Sequence, residues 1–158
     1  MCTADIDALG RIANEPGVRR YLFDDQPVTP EFIRAVLVQS VGDFEERLFG
    51  IWTVREKNVD APIGLCGLRL VQDLGEVEIL YALTESKWKH GYAFEAALSI
   101  IHYAFEVAAL DQIVGITDVP NVLSWRVLEQ LGMREFRPPN ARQHLRYASL
   151  TRRQRGSI

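Results

Sequence analysis

The chain has 158 residues, 47% of them apolar and 25% charged, which suffices for one domain with a sizeable core. A net charge of −3 gives no reason to expect nucleic acid as a partner. The most apolar stretch, Ala96 to Leu110, is interrupted by His102 and Glu106 and is too short to span a bilayer, so the expectation is a soluble, cytoplasmic protein with no membrane partner.

In chain order, Asp5 to Asn14 reads as a helix with Ile6, Leu9, Ile12 and Ala13 on one face, ended by Glu15 to Gly17. A second helix follows over Thr29 to Ser40: Thr29 is a natural N-cap, Pro30 fits the first turn and Glu31 favours the positive end. Phe49 to Arg55 and Pro62 to Val71 read as strands. Cys66 lies inside the second as a small buried hydrophobe, and with Cys2 at the N-terminus it suggests no disulfide framework. Glu76 to Leu83 is a third strand, with Val77, Ile79, Tyr81 and Leu83 on one face and Glu76, Glu78, Leu80 and Ala82 on the other.

Thr84 to His90 leads into a helix that starts near Gly91 and runs to about Ala109. Its apolar residues line two sides, so it is largely buried, against a sheet. Gln112 to Asp118 reads as a strand; Asn121 caps a helix running to Leu131, which Gly132 ends; His144 to Thr151 is a last strand. The basic cluster that follows falls in 151–158, read as a solvated tail of a single domain, 1–158. The strand–helix–strand unit from Glu76 to Asp118 can place its two strands parallel and adjacent. The class is α/β to α+β with a mixed sheet.

The stretch "WKHGYAFEAA", Trp88 to Ala97, puts a glycine with Lys89 and His90 just before the long buried helix. Helix N-termini present unpaired N–H groups and a partial positive charge, and glycine lets another molecule approach the backbone, which describes an anion seat. The spacing is neither a P-loop nor a dinucleotide fingerprint. On these residues alone two readings stand: a phosphate seat, or a glycine that relieves crowding at a helix start.

"EVEILYALTESKWKHGYAFEAALSII" followed by "NVLSWRVLEQLGM" resembles the GNAT superfamily of acyl-CoA-dependent N-acyltransferases, and within it the branch that acetylates N-termini of ribosomal proteins. The likeness runs from about Asp5 to Leu150 and includes "ADIDAL", "NEPGVRRYL" and "PIGLCGL". It implies a mixed, mostly antiparallel sheet flanked by helices, with a splayed parallel pair at its centre. It also implies acetyl-CoA as co-substrate: backbone N–H groups of Trp88, Lys89, His90, Gly91, Tyr92, Ala93 and Phe94 would cradle its pyrophosphate. Tyr81, Ala82 and Leu83 would pair with the pantetheine arm, and Asn121 and Ser124 would face the same cleft. Two departures stand out. The branch usually has a small residue, often Gly, where this chain has Lys89. The family also begins with a strand before the first helix, whereas this chain starts almost at that helix, leaving a sheet edge that could pair in a homodimer.

Acyl transfer needs a neutral amine, and α-amino groups and lysines have pKa values of about 8 and 10.4, so a base is required. Glu78, where the branch carries its Glu, is the expected catalytic base, with Glu76 as substitute. Ser124 is the expected donor to the departing thiolate. Many family members carry a tyrosine in the second half of this helix; here those positions hold Val127 and Leu128, so that acid is absent. Phe23, Asp24 and Asp25 lie where the branch borders its acceptor site, and an acidic rim there would favour a cationic amine. Tyr92 is expected to pack; Trp52, Trp88 and Trp125 to form core or cleft wall. No metal is expected, since the three histidines show no ligand spacing. The expected reaction moves an acetyl group to a primary amine on a protein N-terminus or a small molecule. The rivals are a CoA-binding module without turnover and an α/β protein holding another phosphate ligand.

Overall fold

The computed structural model describes residues 2–155. A 3-10 turn over Thr3–Asp5 leads into α1 (Ile6–Ala13), α2 (Pro16–Leu22) and α3 (Pro30–Arg47). There follow β1 (Ile51–Arg55), β2 (Pro62–Val71), β3 (Glu76–Leu83), a 3-10 turn (Glu85–Lys87), α4 (Tyr92–Glu106), β4 (Gln112–Asp118), α5 (Val122–Gln130), β5 (Arg134–Phe136), β6 (Leu145–Thr151) and the single turn α6 (Arg152–Arg155). Six strands form one sheet in the order β1-β2-β3-β4-β6-β5. All neighbours are antiparallel except the β3–β4 pair, which is parallel as the crossover requires.

Strands β2, β3 and β4 have the bounds the sequence predicts. The helices differ more. Glu15 to Gly17 does not simply end a helix: Glu15 is the N-cap of α2, with Pro16 at its first turn, where a missing N–H costs nothing. Helix α3 runs past Ser40 to Arg47; Thr29 caps it as expected, its hydroxyl accepting from Phe32 N at 3.2 Å. The stretch read as a solvated tail is docked as far as Arg155. Thr151 belongs to β6, Arg152 donates to the Leu110 carbonyl at 2.9 Å, and Arg155 pairs with Glu106 at 2.6 Å. Residues 156–158 lie outside the described residues.

No strand precedes α1 among the described residues, and β1 is an edge. That edge is covered at its start. Leu68 N donates to Gly50 O at 2.8 Å, so strand alternation turns the main-chain groups of Ile51 away from β2. The Ser40 hydroxyl of α3 meets them there, accepting from Ile51 N at 2.8 Å.

The two faces of the sheet are packed differently. One carries α4 and α5 over a large apolar cluster in which Leu68, Ile101, Phe105, Ile113, Leu128 and Leu150 are at most 2% exposed. The other carries α1 over a smaller cluster of Ile6, Leu9, Ala13, Val28 and Ile33. Among the described residues no helix is long and apolar enough to cross a membrane.

Candidate active site

β3 and β4 pair at one register position, Glu78 opposite Val114. Beyond it they part, because β3 stays with β2 up to Leu83 while β4 stays with β6 up to Asp118. A cavity of about 490 Å³ opens at this gap, reached by residues of α2, α4 and α5.

Strand alternation decides which backbone groups face the gap. Thr84 N donates to Ile63 O at 2.8 Å, so Thr84 and, by alternation, Ala82 and Leu80 turn their main chain toward β2. Tyr81 and Leu83 turn theirs toward the gap. The Leu83 carbonyl already accepts from Trp88 Nε1 at 2.7 Å. Of the expected trio Tyr81, Ala82 and Leu83, Tyr81 thus presents a main chain with no strand partner, whereas Ala82 contributes its side chain to the cavity wall.

Side chains alternate across the same strand. Glu78 is buried, its side chain 5% exposed, and its Oε2 accepts from Arg69 Nε at 2.7 Å. Its Oε1 has no partner among the described residues, yet it is not sealed from solvent. Burial raises the carboxyl above its ordinary value, with the Arg69 guanidinium pulling the other way. Glu76 lies outside the cavity lining and accepts from Gln112 Nε2 at 3.1 Å.

On the opposite face, the Tyr81 phenol reaches α5. Its oxygen lies 3.0 Å from both the carbonyl and the hydroxyl oxygen of Ser124. Burial pushes this phenol well above its ordinary pKa, so it stays protonated as a hydrogen-bond donor. Asn121 caps α5, its Oδ1 accepting from Ser124 N at 3.2 Å. Its Nδ2 is left as the donor available to a bound arm. Val127 lines the cavity and Leu128 is core, so no phenol comes from there.

At the far end, Lys89 has φ +63° and Gly91 has φ +85° just before α4. A Cβ at Gly91 would meet nothing within 4 Å, so crowding is not what selects glycine. The left-handed backbone is. The same angle at Lys89 explains why a small residue suits that position. His90 is exposed and turned aside, its Nδ1 2.7 Å from the Trp88 carbonyl oxygen. Tyr92, expected to pack, lines the cavity, its hydroxyl donating to Glu56, which also holds Lys87 Nζ at 2.7 Å.

The sequence reading missed α2, which supplies Val18, Tyr21 and Leu22 to the cavity. Their spacing on "PGVRRYL" is helical and was the available signal. A reciprocal clasp holds this helix. The Glu15 carboxylate accepts from Thr84 Oγ1 and Glu85 N, both at 2.6 Å, and the Glu85 carboxylate accepts from Gly17 N at 2.5 Å. Of the expected acidic rim, Asp25 is paired with Arg19 at 3.0 Å. Asp24 lies near enough to Asp118, at the end of β4, to add to the burial that raises the latter's pKa, with His144 opposing. Phe23 packs on Phe32 rather than lining the cavity. Among the described residues no cluster could hold a metal ion.

Known proteins share this fold. A family model described as "Acetyltransferase (GNAT) domain" matches residues 1–134. The N-acetyltransferase p20 of Bacillus licheniformis is 28% identical over 133 residues, covering 83% of this chain and 74% of that one. The spermidine N-acetyltransferase of Vibrio cholerae, solved with CoA and spermine, superposes with a TM-score of 0.78 at 15% identity, over 98% of this chain and 94% of that one. The ribosomal-protein-S5-alanine acetyltransferase of Vibrio fischeri does so at 0.75 and 18%, over 96% and 90%. At such identities the likeness is one of fold.

Proposed function

The chain belongs to the GNAT acetyltransferase family, and from that premise we propose that it moves the acetyl group of acetyl-CoA directly to a primary amine. One observation carries this reading. A buried carboxylate with one free oxygen and a pair of hydroxyls lie on opposite faces of the same strand, beside a gap to which that strand offers an unpaired N–H.

The groups present fit the co-substrate. The open left-handed turn at Lys89 to Gly91 offers N–H groups to a pyrophosphate at the head of α4, and the main chain of Tyr81 can pair with an extended arm. When bound, acetyl-CoA supplies an acyl group activated as a thioester.

The protein does the rest. Glu78 Oε1 takes a proton from the acceptor's ammonium and so uncovers its lone pair; a carboxyl raised by burial is a better match to this task at neutral pH than an exposed one. Tyr81 N–H faces the place where oxyanion charge develops. The Ser124 hydroxyl, steadied by the Tyr81 phenol, donates a hydrogen bond to the departing sulfur. The acceptor enters from the side of α2. A protein N-terminus is what the resemblance to the ribosomal branch implies, and the name of the Vibrio fischeri enzyme points the same way. A small cationic amine is the other acceptor class, as in the Vibrio cholerae enzyme.

The test is calorimetric titration with acetyl-CoA, CoA and ATP, on wild type and on Gly91→Asp. The expected result is binding of both CoA species over ATP, lost in a Gly91→Asp protein that stays folded. An acceptor screen then compares wild type with Glu78→Gln, for which kcat/KM should fall by about 10²–10⁴. Preference for ATP would overturn the reading. CoA binding without any acceptor turnover would favour a non-catalytic module.

A further inference from the structure

We propose that Arg69 is a positioning residue for Glu78: it holds the buried carboxylate ionised and dedicates one of its two oxygens to the acceptor. The inference rests on the acetyl-transfer reading and adds a residue to it.

Arg69 and Glu78 are direct partners in the β2–β3 ladder. The guanidinium Nε meets Oε2 at 2.7 Å, and Glu78 is the acidic partner of Arg69 among the described ion pairs. The two side chains are unequally exposed, 52% for Arg69 and 5% for Glu78. The cation therefore keeps most of its hydration while the anion has lost nearly all of its own. Such a pair avoids the cost of burying both charges.

The other ionisable groups around Glu78 do not do this work. Glu76, on the same strand, is a second acid and is engaged by Gln112. Tyr81 on β3 and Tyr21 on α2 are phenols and bring no cation to the carboxylate. Lys87 on the cofactor loop is paired with Glu56. Lys89 on that loop and Arg126 on α5 line the same cavity but form no hydrogen bond or ion pair with Glu78 among the described residues.

The geometry serves the chemistry twice. A charged donor on Oε2 favours the ionised form that a base must have. It also fixes the carboxylate plane, so that Oε1, free of partners among the described residues, is the oxygen left for the ammonium. The proton moves from the acceptor nitrogen to Oε1, and the guanidinium takes no part in the transfer.

The experiment is kcat/KM against pH for wild type, Arg69→Gln, Arg69→Met, Arg69→Lys and Glu78→Gln, with calorimetric CoA binding for each. Glu78→Gln should abolish the acidic limb. Arg69→Gln and Arg69→Met should move that limb upward by about one pH unit or more, the shift a neighbouring opposite charge produces. Arg69→Lys should return it most of the way, and CoA affinity should stay within about twofold in all four. Arg69 is exposed enough for the glutamine variant to fold, and the methionine variant checks it. If both profiles superimpose on wild type while Glu78→Gln still loses the limb, the role of Arg69 is disproved and the base survives. If Glu78→Gln keeps both rate and limb, the base itself is misassigned and the inference falls with it.

Discussion

The two faces of the sheet are held by different forces. Under α4 and α5 the contacts are apolar and numerous, with Phe105, Leu128, Leu131 and Leu150 at most 1% exposed. Over the other face α1 and α2 are short, the apolar cluster they share with α3 is smaller, and side-chain hydrogen bonds add to it. Asn14 bridges α1 to the chain before α3, donating to Val28 O at 2.7 Å and accepting from Val28 N at 3.0 Å. Glu15 and Glu85 clasp α2 to the cofactor loop. Asp5 ties the N-terminal turn to Thr53 and Arg55. Burial is non-directional and gives a stable platform, whereas hydrogen bonds fix positions. The proposed cofactor seat grows from the platform; the proposed base and acceptor wall lie on the face where directional bonds add most.

Three measurements can break or sharpen that contrast. The largest effect should come from Leu128→Ala, which opens a cavity under α5 and should cost about 3–5 kcal/mol in denaturant unfolding. A loss below about 1 kcal/mol would mean that burial is not what holds this face. Glu15→Ala should cost less, about 1–2 kcal/mol, because it removes two hydrogen bonds and no core. Its effect should appear in kinetics, with the acceptor KM rising more than the acetyl-CoA Kd; equal changes would show that α2 does not serve the acceptor. The smallest effect concerns Asp5. Burial raises its pKa, but bonds from Thr53 and Cys2 and the charge of Arg55 outweigh it, leaving the carboxyl below its ordinary value. A depressed pKa means stability that is present above the unfolded value of about 4 and is lost as pH falls through the folded one. The Tm gap between wild type and Asp5→Asn should therefore be full near neutrality and shrink below about pH 4. A gap that does not depend on pH would rule out the ionic contribution.

Much of this fold could be read from residues alone. Strands β2, β3 and β4 are runs of alternating or β-branched residues with Pro, Gly and Asp at their ends, and such runs have little alternative. Helix α2 escaped because Pro16 reads as a stop when it is in fact a start, and Val18, Tyr21 and Leu22 were missed with it. Strand β5, three residues long, has no periodicity to detect. Within the candidate site, the glycine turn was legible as a local motif, and Glu78 through the resemblance. Arg69 was not, because its meaning comes from pairing across a hairpin: once Val71 is set opposite Glu76, Arg69 falls opposite Glu78. The Tyr81–Ser124 contact spans 43 residues and depends on how α5 lies on the sheet, which no local pattern encodes.

The carbonyl of Leu83, taken by the indole of Trp88, has a consequence for the protein's behaviour in a crowded solution. A sheet that parts in its middle exposes an inner edge, and unpaired edges recruit other strands. Here the ladder closes the gap below at Val114, and Trp88 closes it above. What remains open on β3 is short: the main chain of Tyr81 and the N–H of Leu83. That is enough to grip a slender extended arm and too short to template a neighbour's strand, so the sheet can part at its centre without seeding aggregation.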